Sequence, residues 1–247
     1  MRRAILKITS SSVSSDPVFA GGALRRPLIV RRIAGARRMR LAVDPRDGSV
    51  RLTLPRRTSE RTARIWAEAQ RTWVEQQLAL LPSPRPILPG ATIPFRGEDV
   101  LIDWSVAHPR AVRLEGGRLL VGGPIEGVQR RVIAWLRREA LRQLDAETRL
   151  IAEKAGVAVG TVSIGDPRSR WGSCSSSGNI RYAWRLILAP PFVLTSTVAH
   201  EVAHRLHMDH SQAFRAAEAR LFGRDPEPSR AWLRQHGAGL YWVGCGD

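Results

Sequence analysis

The chain has 247 residues, 43% of them hydrophobic, with 39 Lys plus Arg against 22 Asp plus Glu, a formal net charge of +17. This is enough apolar material for one large core or two small ones and excludes a chain too polar to fold. No run approaches the roughly 18 apolar residues of a membrane span, and two cysteines are too few for a disulfide framework, so a reducing, cytoplasmic setting without a membrane partner is expected.

The opening MRRAILKITSSSVSSDPVFAGG begins basic but has no continuous apolar stretch after it, so it does not read as a secretory signal. Residues 1–24 are expected to form a disordered tail. Among the basic residues only Lys7 and Lys154 are lysines, and residues 1–72 hold 17 basic against 5 acidic residues. A solvated arginine-rich surface is the plain explanation; a nucleotide or nucleic-acid partner for the basic N-terminal half is the sharper one.

Residues 28–54 read as strands. Leu28-Ile29-Val30 is a short apolar run. Met39, Leu41 and Val43 alternate with polar neighbours, and so do Val50, Leu52 and Leu54, across the turn Asp44–Gly48. Thr58 or Ser59 then caps one helix reaching about residue 80, with Trp66, Ala69 and Trp73 at helical spacing. Pro82, Pro84, Pro86 and Pro89 end it. Val100, Ile102 and Trp104 alternate as a strand, and Val112–Val121 reads as a hairpin turning at Gly116-Gly117. Residues 25–122 are therefore expected to be a β-rich region with one helix and no catalytic constellation.

Residues 123–247 read as a second domain. Val128, Val132, Trp135, Leu136, Ala140, Leu144 and Ile151 follow a helical period up to a stop at Gly156. Strands are expected over Val157–Ile164 and Ile180–Leu188, with the turn cluster Ser175–Asn179 before the second. Pro190-Pro191 opens a helix with an apolar seam of Leu194, Val198, Val202 and Leu206. Ser211 caps the next helix, which turns Phe214, Ala217 and Leu221 inward and stops at Gly223. A last helix runs from about Glu227 to Gln235.

The seamed helix carries His200-Glu201-Val202-Ala203-His204. Residues four apart share a helix face, so His200 and His204 can close on one metal ion, with Glu201 beside it as a base for a bound water. His207 lies seven residues from His200, about 10 Å along a straight helix, too far to share an ion held at about 2 Å. His210 lies beyond the helix, where the chain has turned, and is the expected third ligand. The fourth position is left for water, which is the arrangement of a zinc hydrolase. A donor for the developing oxyanion is also needed, and Arg170, Asn179, Tyr182 and Arg185 are the candidates. Cys174 as a fourth ligand in an inactive site is the minor alternative.

RWGSCSSSGNIRYAWRLILAP, HEVAH and HMDHSQAF together resemble the YgjP-like family, minimal SprT-like zincins labelled as zinc metallopeptidases. The resemblance implies His200, His204 and His210 as zinc ligands and Glu201 as catalytic base. It also implies an α+β fold, with the β-rich N-terminal region packed on a zincin-like core of helix, antiparallel sheet and HExxH helix. The strand before that helix is expected to pair with an extended peptide or protein substrate. The function expected is a zinc metallopeptidase. Two alternatives stand beside it: a metal-dependent nucleoside triphosphate pyrophosphohydrolase, since family labels divide between the two, and a nucleic-acid-associated module with a structural metal.

Overall fold

The computed structural model describes residues 28–245, and the tail expected over residues 1–24 lies outside them. The architecture is α+β, and its contacts divide the chain into two units, Met1–Pro82 and Ser83–Asp247. The division falls at Pro82–Ser83 rather than near residue 122. The sheet of residues 92–121 belongs with the second unit because Ile93, Ile102 and Leu119 share one core with Val132 and Leu136 of the long helix.

In the first unit, β1 (Leu28–Arg32), β2 (Arg40–Val43) and β3 (Val50–Leu54) form a sheet of order β1-β3-β2, with β3 parallel to β1 and antiparallel to β2. The period of two puts Val50, Leu52 and Leu54 on one fully buried face, worth about 1.5–3 kcal/mol per side chain. Asp44 closes the β2–β3 turn, accepting from the Arg46 amide at 3.0 Å and pairing with Arg51 at 2.6 Å.

The single helix expected here is two, α1 (Glu60–Glu68) and α2 (Arg71–Ala79). Ser59 caps α1, its hydroxyl accepting from the Thr62 amide at 3.0 Å. The interruption at Ala69-Gln70 changes the helical phase. Ala63, Ala67, Val74 and Leu78 are the buried core residues; Trp66 packs against them half-buried, while Ala69 is exposed and Trp73 stays 39% exposed. The small side chains of Ala63 and Ala67 let α1 lie close on the sheet.

The second unit begins with a four-stranded sheet, β4 (Thr92–Phe95), β5 (Glu98–Trp104), β6 (Arg113–Glu115) and β7 (Arg118–Val121), in the order β4-β5-β7-β6. The sequence reading had no β4. Its strand TIPF is short and holds a proline, at Pro94, and it is recognisable only through its partner β5. The β4–β5 turn, Arg96-Gly97, has positive φ at both residues, 54° and 83°, the mirror-image turn that suits the twist of a hairpin. Its amides donate to the Ile187 carbonyl (2.8 Å) and the Leu188 carbonyl (3.2 Å), and a Cβ on Gly97 would meet Pro190 Cα at 2.9 Å. This hairpin tip therefore fixes the chain where the histidine helix begins.

The helix α3 (Val128–Ala155) buries all seven of its expected inward residues and stops at Gly156. The third sheet holds β8 (Val162–Gly165), β9 (Gly172–Cys174) and β10 (Ile180–Ala183) in the order β8-β10-β9. It is mixed rather than antiparallel: β10 runs parallel to β8 and antiparallel to β9. Both expected strands were too long. Trp184–Leu188 is a 3-10 turn in which Trp184, Leu186, Ile187 and Leu188 are buried. An apolar run buried on all sides has no periodicity to separate strand from turn.

The helices α4 (Pro191–Ala203), α5 (Gln212–Phe222) and α6 (Glu227–His236) complete the unit. The helix α4 packs on α3, on α5 and on β9. Ser211 caps α5, accepting from the Phe214 amide at 3.3 Å, and Gly223 ends it.

Candidate metal centre

The helix α4 ends at Ala203, with His204 as its C-cap. The His200 and His204 rings therefore project from its last turn with centroids 5.0 Å apart. The chain then turns, the Leu206 and His207 amides both donating to the Ala203 carbonyl at 3.0 Å. This brings His210 back just before the Ser211 cap, with ring centroids 5.3 Å from His200 and 4.9 Å from His204. One ligand nitrogen from each of His200, His204 and His210 can be chosen so that all three lie within 4.8 Å of one another.

The other ring nitrogens are already committed. His200 Nδ1 lies 3.0 Å from Glu218 Oε1, and His204 Nδ1 lies 3.2 Å from the His207 carbonyl. Both oxygens are acceptors, so both Nδ1 atoms donate and both Nε2 lone pairs are left free. His200 Nε2 lies 3.4 Å from His210 Nε2, and two ligands at about 2.05 Å in tetrahedral array are separated by about 3.3 Å. The three-imidazole donor set suits a metal ion, and the His200–His210 separation matches one edge of a tetrahedral site. His200 and His204 are half-buried and His210 is exposed, so one side of the cluster is open.

Phe214 is fully buried and touches all three rings, with centroids 5.0, 4.6 and 4.8 Å from His200, His204 and His210. Burial, with His200 beside it, holds the His204 imidazole below its usual pKa. Glu218 is 1% exposed and also accepts from Arg230. Burial pushes its carboxyl up, but the hydrogen bonds from His200 and Arg230 outweigh that and hold it below the usual range. The sequence reading missed Glu218, although a signal was there: it falls four residues after Phe214, on the inward stripe of α5.

Glu201 is 4% exposed, and burial pushes its carboxyl up to about 7, against the pull of His200 and Arg170. It lies against Gly172 of β9: a Cβ there would overlap Glu201 Oε1 and stand 2.7 Å from its Cδ. Glycine at 172 is thus a condition for the carboxylate's position, and its place in the WGSC run gave no sign of this.

Of the four oxyanion candidates, Arg170 is exposed and near enough to Glu201 to lower its pKa. The other three have structural partners. Tyr182 is fully buried, its hydroxyl 3.0 Å from Thr148 Oγ1, and burial raises its pKa. Asn179 accepts from the Thr161 amide at 2.9 Å. Arg185 binds Asp166 at 2.9 Å and donates to the Leu240 carbonyl at 2.8 Å. Cys174 stays outside the cluster; its thiol lies 3.4 Å from its neighbour's carbonyl. His207 contributes its backbone carbonyl, and the His236 ring packs on Trp232.

A family model described as YgjP-like, metallopeptidase domain, matches residues 37–236. The chain belongs to the YgjP-like family. The match runs through both units of this YgjP-like chain, from just before β2 to the end of α6. No curated protein and no solved structure matches the chain. None of its described helices is long and apolar enough to cross a membrane.

Proposed function

We propose that this chain is a zinc-dependent peptidase with a zincin-like core, in which His200, His204 and His210 hold the metal and Glu201 is the general base. The observation that carries the reading is the converging imidazole set, with two Nδ1 atoms locked as donors, beside a buried glutamate. When bound, zinc supplies Lewis-acid polarisation of the scissile carbonyl and acidifies the attacking water. Glu201 Oε1 or Oε2 takes that water's proton and passes it to the leaving amine nitrogen. Burial raises the proton affinity of the Glu201 carboxyl, which suits a group that takes up a proton and hands it on. Arg170 faces the charge that develops on the carbonyl oxygen. The strand β9 is at the edge of its sheet and packs against α4, which supports its pairing with an extended peptide.

The test is metal analysis together with a panel of peptides and nucleoside triphosphates, on wild type and Glu201→Gln. Both proteins are expected to carry zinc, with peptide cleavage falling by about 100-fold or more in the variant. Undiminished cleavage by the variant, or hydrolysis confined to nucleotides, would overturn the reading.

A further inference from the structure

The basic residues of the first unit are not spread evenly over it. Residues 28–57 hold nine arginines against two aspartates. Both aspartates, Asp44 and Asp47, lie in the β2–β3 turn, where Asp44 pairs with Arg51. Seven of the arginines gather at the other end of the sheet, because β1 runs parallel to β3 and β2 antiparallel to it. Arg31 and Arg32 end β1, Arg40 opens β2 just after Arg37-Arg38, and Arg56-Arg57 follow β3. All seven are exposed, and among the described residues none of them is in an ion pair. Arg32 braces the cluster, donating to the Arg56 carbonyl at 3.3 Å and to the Thr58 carbonyl at 2.6 Å. The register also sets Arg31 and Arg40 on either side of Thr53, with α-carbons about 10 Å apart across two strand spacings. They stand on the face opposite Val50, Leu52 and Leu54, which pack against the two helices, and no described element of the unit covers their own face.

We infer that this arginine-rich end of the first sheet binds the backbone of a nucleic acid, without regard to base sequence. Like charges held together repel, and a polyanion bound there offsets that cost. The helices of the same unit show what an ordinary solvated surface of this chain is like. Residues 60–79 carry three arginines and three glutamates, with Arg64 paired to Glu60 at 2.9 Å and Arg71 paired to Glu68. A general preference for arginine would give the sheet the same balance, and the sheet does not have it. Each guanidinium offers a planar fork that matches two phosphate oxygens, and the Thr53 hydroxyl between Arg31 and Arg40 is a further donor to phosphate. Shape selects the class of polyanion. Arg31 and Arg40 belong to the open face of the sheet, whereas Arg37, Arg38, Arg56 and Arg57 lie at its end, so the positive surface turns a corner. A chain of phosphates can follow that corner, while a flat lipid surface meets only one side of it. Residues 28–57 contain no aromatic side chain on which a base could stack, and phosphate contacts alone carry no sequence preference. The inference does not rest on the peptidase reading.

The experiment uses the full chain and a fluorescent DNA duplex of about 20 base pairs, with binding followed by anisotropy between about 50 and 200 mM salt. Wild type should bind, and its affinity should fall about 1,000-fold over that range, as six phosphate contacts require. Two double variants then remove the same charge from different places. Arg31→Gln/Arg40→Gln should flatten the slope of log affinity against log salt by about 2 and weaken binding about tenfold or more. Arg64→Gln/Arg71→Gln, on the helices, should change affinity by no more than about twofold, since each of these guanidiniums already has a carboxylate partner. Arg56→Gln/Arg57→Gln lies outside the strands and repeats the first measurement if exchange within them disturbs the sheet. A second duplex of unrelated sequence should bind equally well. No binding at about 50 mM salt, or equal weakening by the sheet and helix pairs, would overturn the inference. So would a base preference of about tenfold, or tighter binding to phosphatidylserine vesicles than to the duplex, which would make the cluster a membrane contact. Glu201→Gln should bind the duplex as wild type does, so failure of the peptidase reading and failure of this one are read separately.

Discussion

The sheets β1-β3-β2 and β8-β10-β9 share a strand order: first and third strands run parallel, and the second pairs antiparallel with the third on its other side. They differ in what stands on the covered face. In the first, Leu41 of β2 sits beside Leu52 of β3 and both serve the core. At the matching place in the second, Gly172 of β9 sits beside Tyr182 of β10, and the space left by the missing side chain holds Glu201. One frame is filled with hydrocarbon and only holds itself together. The other leaves out a single side chain and gains a carboxylate whose proton affinity is set by burial.

Substitutions at these places separate the two roles. The largest effect is expected from Leu52→Ala, which should destabilise the first unit by about 2–5 kcal/mol while zinc stoichiometry is unchanged; chemical denaturation with metal analysis checks both. Gly172→Ala should do the reverse. It displaces Glu201 and lowers kcat about 100-fold at unchanged zinc content, and a wild-type kcat would show that the gap in β9 has no bearing on the base. Glu218→Gln removes the charge that orients His200 and should weaken zinc binding about 10- to 100-fold, read by competition with a chelator. The smallest difference lies between the two serine caps. Ser59→Ala and Ser211→Ala should each cost about 1 kcal/mol, but only Ser211→Ala, next to His210, should also loosen the metal; equal metal affinity in both would separate cap from site.

Much of the frame could be read from the sequence wherever one face of an element is buried and the other is wet. The alternation of Val50, Leu52 and Leu54 and the stripe from Val128 to Ile151 are of this kind. The Trp184–Leu188 run offered no such contrast, because both of its sides are covered. The interruption at Ala69-Gln70 has neither glycine nor proline to mark it, so the change of helical phase there was not legible. The coming together of His200, His204 and His210 followed from helical rise and the turn before Ser211. Glu218 and Gly172 did not follow, because each is defined by a contact with a residue distant in sequence. Tyr182 and Arg185 looked available as donors for the same reason: Thr148, Asp166 and Leu240, which occupy them, are far along the chain.

Phe214 has a consequence for how the proposed metal would be taken up. One aromatic ring supports all three imidazoles, and it is anchored in a small cluster with Ala203 and Ala217. The support is hydrocarbon and does not depend on an ion. On the zinc reading proposed above, side-chain packing gathers the three nitrogens, so taking up the ion should require little rearrangement. Reloading should be quick and should leave the melting of the second unit cooperative with or without metal, unlike small zinc modules that fold only around their ion.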